Sequence, residues 1–177
     1  MPGSAEWPVL FLDVDGPLIP FGASSPRPRA DGRQAFPSSS GPPTPDANPL
    51  LERLDPAHGP KLRSLPCELV WATTWMEEAN ECVAPRLGLP DLPVLDRAGP
   101  PEDDARGARM GLHWKTRPIL DRAAGRPFAW VDDEITDRDR LWVAACHSGR
   151  ALLHRVDPGR GLTDADYRRL HDWLSAC

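Results

Sequence analysis

Asp13 and Asp15 stand one residue apart in Leu10-Phe11-Leu12-Asp13-Val14-Asp15-Gly16-Pro17, where an apolar run meets two carboxylates and then a Gly-Pro breaker. An Asx turn after a strand would use one Asp and the glycine, and it leaves the second Asp unexplained. Alternate residues of a strand share a face, so the pair converges only if the chain bends beyond the strand end. Two carboxylates held together repel unless a cation or a shared proton lies between them, which points to a metal site or to acid-base chemistry. A second acidic pair, Asp132-Asp133, closes the apolar run Phe128-Ala129-Trp130-Val131 in the same way. Between the two pairs lie Thr73 and Thr74, at the end of CELVWAT, and Lys115 in HWKT. The Thr73 hydroxyl and the Thr74 N–H could hold phosphate oxygens at a helix N-terminus; the plainer use of such a threonine is a helix cap. A lysine in a first helical turn opposes the helix dipole, so Lys115 is out of place as a mere surface residue.

The elements that must carry these residues follow from the apolar pattern. CELVWAT reads as a buried strand and WMEEANECVAPRLGL as a helix closed by Gly88. LPVLD reads as a short strand, and the acidic RAGPPEDDARG as a solvated connection. KTRPILDRAAG predicts a helix from about Lys115, with Pro118 in its first turn and Gly125 past its end. FAWVDD is a strand, TDRDRLWVAACH a helix capped by Thr136, ALLHRVD a strand, and GLTDADYRRLHDWLSAC an amphipathic helix from Thr163. Strands alternating with helices predict a parallel sheet covered on both faces. Right-handed crossovers then gather Asp13, Asp15, Thr73, Thr74, Asp132 and Asp133 along one sheet edge, where such folds bind ligands.

Length and charge narrow the function classes. The 177 residues suit one domain spanning residues 1–177, interrupted by a Pro/Gly/Ser-rich irregular loop at about 17–60 that holds eleven of the 22 prolines. A net charge of −5 argues against a broad electrostatic grip on nucleic acid, and a local basic patch remains compatible with it. No basic, apolar leader and no membrane-length apolar run occurs, so a cytoplasmic protein is expected, with no obligate protein partner inferable. Cys67, Cys82, Cys146 and Cys177 form no Cys-x-x-Cys pair and read as buried thiols in a reducing compartment. Of seven tryptophans, Trp71, Trp130 and Trp142 are expected in the core. Trp75 and Trp114 flank the threonines and Lys115 and are expected to pack over the site, with stacking on a base or sugar as the second use. The five histidines show no ligand spacing, and Asp137-Arg138-Asp139-Arg140 reads as a solvated helix start.

Taken in order, DVDG, VWATTW, HWKT and WVDDE resemble the four motifs of the haloacid dehalogenase (HAD) superfamily of phosphohydrolases, over about residues 8–145. The finer pattern, WATTW followed by AN, then GLHWKT, RPFAWVDDE and a late GLT, is similar to the HAD domains of Swiss-army-knife RNA repair proteins. The resemblance implies a Rossmann-like, doubly wound parallel sheet in three α/β/α layers, without a large cap domain. It implies a nucleophile at Asp13 that forms an aspartyl-phosphate, an acid-base at Asp15, and Lys115 stabilising the nucleophile and the charged intermediate. Phosphoryl transfer calls for such an oxyanion, a proton carrier and a neutralising cation. The cation implied is Mg2+, between Asp13, the backbone carbonyl of Asp15 and the Asp132-Asp133 pair, an all-oxygen site. The family's alternative Gly-Asp spelling of the last motif puts the metal on its second position, so Asp133 is the expected direct ligand, with Asp132 behind it or contacting Lys115.

The function expected is a Mg2+-dependent phosphatase, with phosphorylated RNA or DNA ends as the leading substrate and no compact cap to enclose small molecules. The alternatives are a phosphatase of nucleotides or sugar phosphates, and an inactive HAD-like binding module. Pro17 is the main departure: the family usually places Thr or Val there, and proline fixes the backbone and removes an N–H. A receiver domain would place its acidic pair first and its lysine last, whereas here a second acidic pair follows Lys115. Dehalogenases generally lack the second acidic residue of the first motif, so Asp15 favours phosphate.

Overall fold

Four strands, β1 (Val9–Leu12), β2 (Glu68–Trp71), β3 (Phe128–Asp132) and β4 (Ala151–Arg155), pair in parallel in the order β2-β1-β3-β4. They are seen in a computed structural model that describes residues 7–22, 48–96, 105 and 107–177. Helices α1 (His58–Arg63), α2 (Ala84–Leu87), α3 (Thr116–Ala123), α4 (Asp137–Cys146) and α5 (Asp164–Ser175) surround the sheet. β1 and β3 are buried at every position because both sheet faces are covered. Leu10 and Leu12 join Ala129 and Val131 on one face, under Leu62 of α1, Leu87 of α2 and Leu170 and Leu174 of α5. Val9 and Phe11 join Phe128 and Trp130 on the other, under Ile119 and Ala123 of α3 and Val143 of α4. This is the three-layer, doubly wound arrangement. The chain leaves β1 for β2 on one side and returns past β1 to β3, so the switch point falls between β1 and β3.

Register fixes what meets at that point. Leu12 pairs with Trp71 and with Val131, so the residues just beyond β1, β2 and β3 emerge side by side. Capping boxes start the two longest helices: Thr136 and Asp139 for α4, Thr163 and Asp166 for α5. Among the described residues, no helix is long and apolar enough to cross a membrane.

Several elements depart from the pattern. LPVLD makes only one bridge, Trp71 with Val94, because Pro93 has no N–H and the chain turns away at once. What holds it is Asn80, whose Oδ1 accepts from Trp71 Nε1 and from Leu92 N, each at 2.9 Å, while its Nδ2 donates to Leu92 O at 2.9 Å. The helix expected from Trp75 begins only at Ala79, as a π turn over Ala79–Val83. Pro85 cannot donate back to Glu81, and the Ala84 N–H reaches Ala79 O instead. Gly88 ends that helix at φ 63, as expected. Within the expected 17–60 loop, residues 48–60 are folded: Asn48 caps a 3-10 turn over Pro49–Arg53, α1 starts at His58 and runs past the expected loop end, and Leu51 and Leu54 are buried. The rest of that loop over 23–47, and the acidic connection over 97–104, lie outside the described residues. Trp71 and Trp130 are core, but Trp142 is only half-buried. Cys146 and Cys177 are exposed rather than buried, and all four thiols are free.

Candidate active site

Asp13 is the first residue past β1, held by its main-chain N–H on Val131 O at 3.0 Å, and its Oδ1 accepts from Val14 N at 2.8 Å. Its Oδ2 lies 2.7 Å from Lys115 Nζ. The same ammonium lies 2.6 Å from Asp132 Oδ2, and Lys115 is 1% exposed, so its charge is shared between two buried carboxylates. Asp132 also accepts from Trp130 Nε1 at 3.2 Å and from Glu134 N at 2.9 Å, which engages both of its oxygens. Burial pushes the Asp13 carboxyl up to about 7; Lys115 pulls it down and the neighbouring charge of Asp132 pushes it further up.

Asp133 is half-buried beside Gly16, and burial together with the Asp132 charge raises its pKa. Gly16 sits at φ 84, and a Cβ there would come within 2.6 Å of the Asp133 carboxylate. Only glycine serves this turn, on both counts. Carboxylate oxygens of Asp13, Asp132 and Asp133 lie within 4.8 Å of one another. An all-oxygen acidic donor set of this kind suits a hard divalent cation such as Mg2+. Asp132 accepts from Lys115, Trp130 and Glu134, and Asp13 from Lys115 and Val14, so Asp13 and Asp133 carry fewer bonds than Asp132 and keep more lone-pair capacity for a cation.

Asp15 is half-buried; its Oδ2 accepts from Trp75 Nε1 at 3.0 Å. Pro17 leaves the following turn tight: Gly16 N donates to Ile19 O at 3.0 Å, and Pro17 O accepts from Leu162 N at 2.8 Å. Thr73 is fully buried and its Oγ1 accepts from Trp75 N at 3.3 Å, while Thr74 is exposed. Neither threonine opens a helix, because a bend at residue 73 and turns over residues 74–77 precede the helical run. The helix-dipole argument for phosphate binding at Thr73 and Thr74 therefore does not apply. Lys115 stands at the N-cap of α3, and its position there is explained by the two carboxylates it faces.

Sequence reasoning missed three residues. Asp139, expected to be solvated, is fully buried. One oxygen accepts from Thr116 Oγ1 at 2.6 Å and His113 N at 2.8 Å; the other accepts from Thr136 Oγ1 at 2.6 Å and Thr136 N at 2.9 Å. Asp139 thus ties the segment bearing Lys115 to the start of α4. Burial acts to raise its pKa, and these hydrogen bonds outweigh it and hold the carboxyl below its ordinary range. Its signal was the Thr-x-x-Asp spacing from Thr136. His113 and Glu134 flank the site, with Nε2 and Oε2 3.2 Å apart, and His113 Nδ1 accepts from Lys115 N at 3.2 Å. Each lies two residues from a motif residue, Lys115 or Asp132, the only signal available. His58 and His154 are structural, bonded to Tyr167 OH at 2.9 Å and Asp166 Oδ1 at 2.8 Å.

The profile of the family described as "HAD domain in Swiss Army Knife RNA repair proteins" matches residues 9–167. The chain belongs to this family. As a HAD domain it carries Asp13, Asp15, Thr73, Lys115, Asp132 and Asp133 all inside the matched span, which runs from the first residue of β1 to Tyr167 in α5. The four-stranded parallel sheet flanked by helices is the Rossmann-like HAD architecture. No curated protein and no solved structure matches the chain.

Proposed function

We propose that this HAD domain is a Mg2+-dependent phosphatase that works through a phosphorylated Asp13 and acts on phosphates at nucleic-acid ends. The observation that carries the reading is the buried Asp13–Lys115–Asp132 array, with Asp15 two residues away. An ammonium held by two carboxylates is costly to bury unless its charge has work to do. Asp13 attacks phosphorus with one oxygen, the P–O bond to the leaving group breaks, and Asp15 gives that oxygen a proton. Asp15 then takes a proton from the water that attacks the aspartyl-phosphate, which releases phosphate and restores Asp13. Lys115 offsets the negative charge that builds on the transferring phosphoryl group. Asp13 and Asp133, with the Asp15 carbonyl, would hold the Mg2+, which when bound neutralises phosphate charge and favours ionised Asp13. Thr73 and Thr74 border the phosphate position through the turn after β2.

The nucleic-acid substrate rests on the family's description and on Arg155. This residue ends β4, is exposed, and donates from Nε to Asp133 O at 2.9 Å, so a guanidinium is anchored at the lip of the site. A guanidinium there suits a substrate with a second phosphate. The test is turnover of a phosphorylated oligonucleotide, the matching mononucleotide and 4-nitrophenyl phosphate, with Mg2+ and with EDTA. Magnesium-dependent turnover that Asp13→Asn abolishes, highest in kcat/KM on the oligonucleotide, is expected. Turnover by Asp13→Asn near that of the wild type would refute the nucleophile, and a preference for the mononucleotide would refute the substrate class.

A further inference from the structure

The indole of Trp75 touches the acid-base candidate and no proposed step above uses it. Trp75 follows Thr74 in the turn after β2, its main-chain N–H bonded to Thr73 Oγ1. The next residue, Met76, is held at φ 49, a left-handed conformation that is unfavourable for a residue with a side chain. Strain of that kind persists where the surroundings fix it, and here it sets the direction in which the turn presents Trp75. The indole Nε1 donates to Asp15 Oδ2 at 3.0 Å. Asp15 Oδ1 is buried and accepts no hydrogen bond from any described residue.

We infer that Trp75 is a positioning residue that holds the Asp15 carboxyl in one orientation, with its proton facing the leaving group. An indole N–H only donates and does not give up its proton, so the oxygen facing it keeps a lone pair toward it. Oδ2 is therefore the fixed oxygen, and with Oδ1 buried the whole carboxyl is held in one orientation toward the site. The proton leaves the Asp15 carboxyl as the ester P–O bond breaks and its electron pair stays on the departing oxygen; water returns a proton to the carboxylate in the second half-reaction. Without the indole N–H the carboxyl is free to rotate, and the proton faces the ester oxygen in only part of the population. The inference rests on the phosphatase reading.

Its signature is a dependence on the leaving group. A 2,4-dinitrophenolate departs with little help, whereas an alkoxide such as a ribose hydroxyl needs the proton. Trp75→Phe keeps the ring and removes the N–H. With Mg2+ present, kcat/KM, which reports the half-reaction in which the leaving group departs, is measured for wild type, Trp75→Phe and Asp15→Asn on 2,4-dinitrophenyl phosphate, 4-nitrophenyl phosphate and an alkyl phosphate. Trp75→Phe is expected to lose about tenfold more in kcat/KM on the alkyl phosphate than on the dinitrophenyl ester. Asp15→Asn is expected to show the same trend more steeply, toward the roughly 10²–10⁴-fold of a positioned acid-base. If Trp75→Phe does not melt cooperatively, Trp75→His replaces it; a ring N–H within reach of Asp15 should give back part of the alkyl-phosphate rate.

A uniform loss over the three esters, or no loss, while Asp15→Asn shows the trend, overturns the inference and leaves the phosphatase reading standing. A wild type that hydrolyses none of the esters overturns both.

Discussion

Replacing Asp139 by asparagine should loosen the segment that carries Lys115 without touching either of its carboxylates. Each Asp139 oxygen accepts one main-chain N–H and one threonine hydroxyl. Asparagine keeps one such oxygen and puts an NH2 in place of the other. A threonine hydroxyl can turn and accept from that NH2, but the main-chain N–H of His113 or Thr136 is left facing a donor. One orphaned buried N–H costs about 1–3 kcal/mol, and the loss of charge assistance at the remaining bonds adds about 1. The expected destabilisation is therefore about 2–4 kcal/mol, which at about 2–4 °C per kcal/mol for a chain of this length lowers Tm by roughly 4–16 °C. Urea unfolding followed by tryptophan fluorescence, in EDTA, gives the free-energy difference directly. Its pH profile carries the sign. The folded pKa of Asp139 lies below the ordinary value of 3.8, so its contribution is fully present above pH 3.8 and is lost as pH falls through the lower folded pKa. The difference between wild type and variant should thus be flat from pH 8 to about 5 and shrink below about 4. A difference under about 0.5 kcal/mol at neutral pH, or one that persists undiminished in acid, would refute the assignment of all four bonds to an ionised Asp139.

Magnesium should raise the Tm of the wild type, and Asp133→Ala should remove that rise more completely than Asp132→Ala, because Asp132 is engaged by Lys115, Trp130 and Glu134; the reverse order in calorimetric scans would exchange the two roles. Lys115→Met leaves two buried carboxylates without their cation and should cost about 3–5 kcal/mol in urea unfolding without metal, part of it recovered by adding Asp132→Asn; additive losses in the double variant would deny the coupling. Arg155→Gln should lower kcat/KM on a phosphorylated oligonucleotide while sparing the mononucleotide, and should reduce the slope of log kcat/KM against log salt by about one; an equal loss on both substrates would remove Arg155 from substrate recognition.

The sheet was legible in the sequence because its strands are short apolar runs ending in polar residues, and the helices because their caps are spelled out, as in Thr136-x-x-Asp139 and Thr163-x-x-Asp166. The convergence of Asp13 and Asp132 was legible from topology, since strand ends in a doubly wound sheet share an edge, whereas Lys115, at a helix start, was placed beside them by the family resemblance. What was hidden depends on partners distant in the chain. Asp139 sits among alternating charges that resemble a solvated face, and only contact with Thr116 and His113 buries it. The turn after Thr73 looks helical in its residues, yet the chain delays its helix and aims Trp75 at Asp15 instead. LPVLD has the apolar content of a strand, and a single proline reduces it to a bridge.

The central place of β1 has a consequence for how the molecule comes to exist. Of the four described strands β1 is made first, and its two neighbours are Glu68–Trp71 and Phe128–Asp132. At a synthesis rate of about 5–20 residues per second, its second neighbour emerges from the ribosome roughly 5–25 seconds after it. Throughout that interval Val-Leu-Phe-Leu has at least one bare edge, a short sticky segment that chaperones are suited to shield. Long loop closures must precede each pairing, so folding should be slow and should finish late. Asp13 is translated early but acquires Lys115 and Asp132 only once residues 115–132 have arrived, so a nascent or truncated polypeptide that stops short of them carries the proposed nucleophile without its two buried partners.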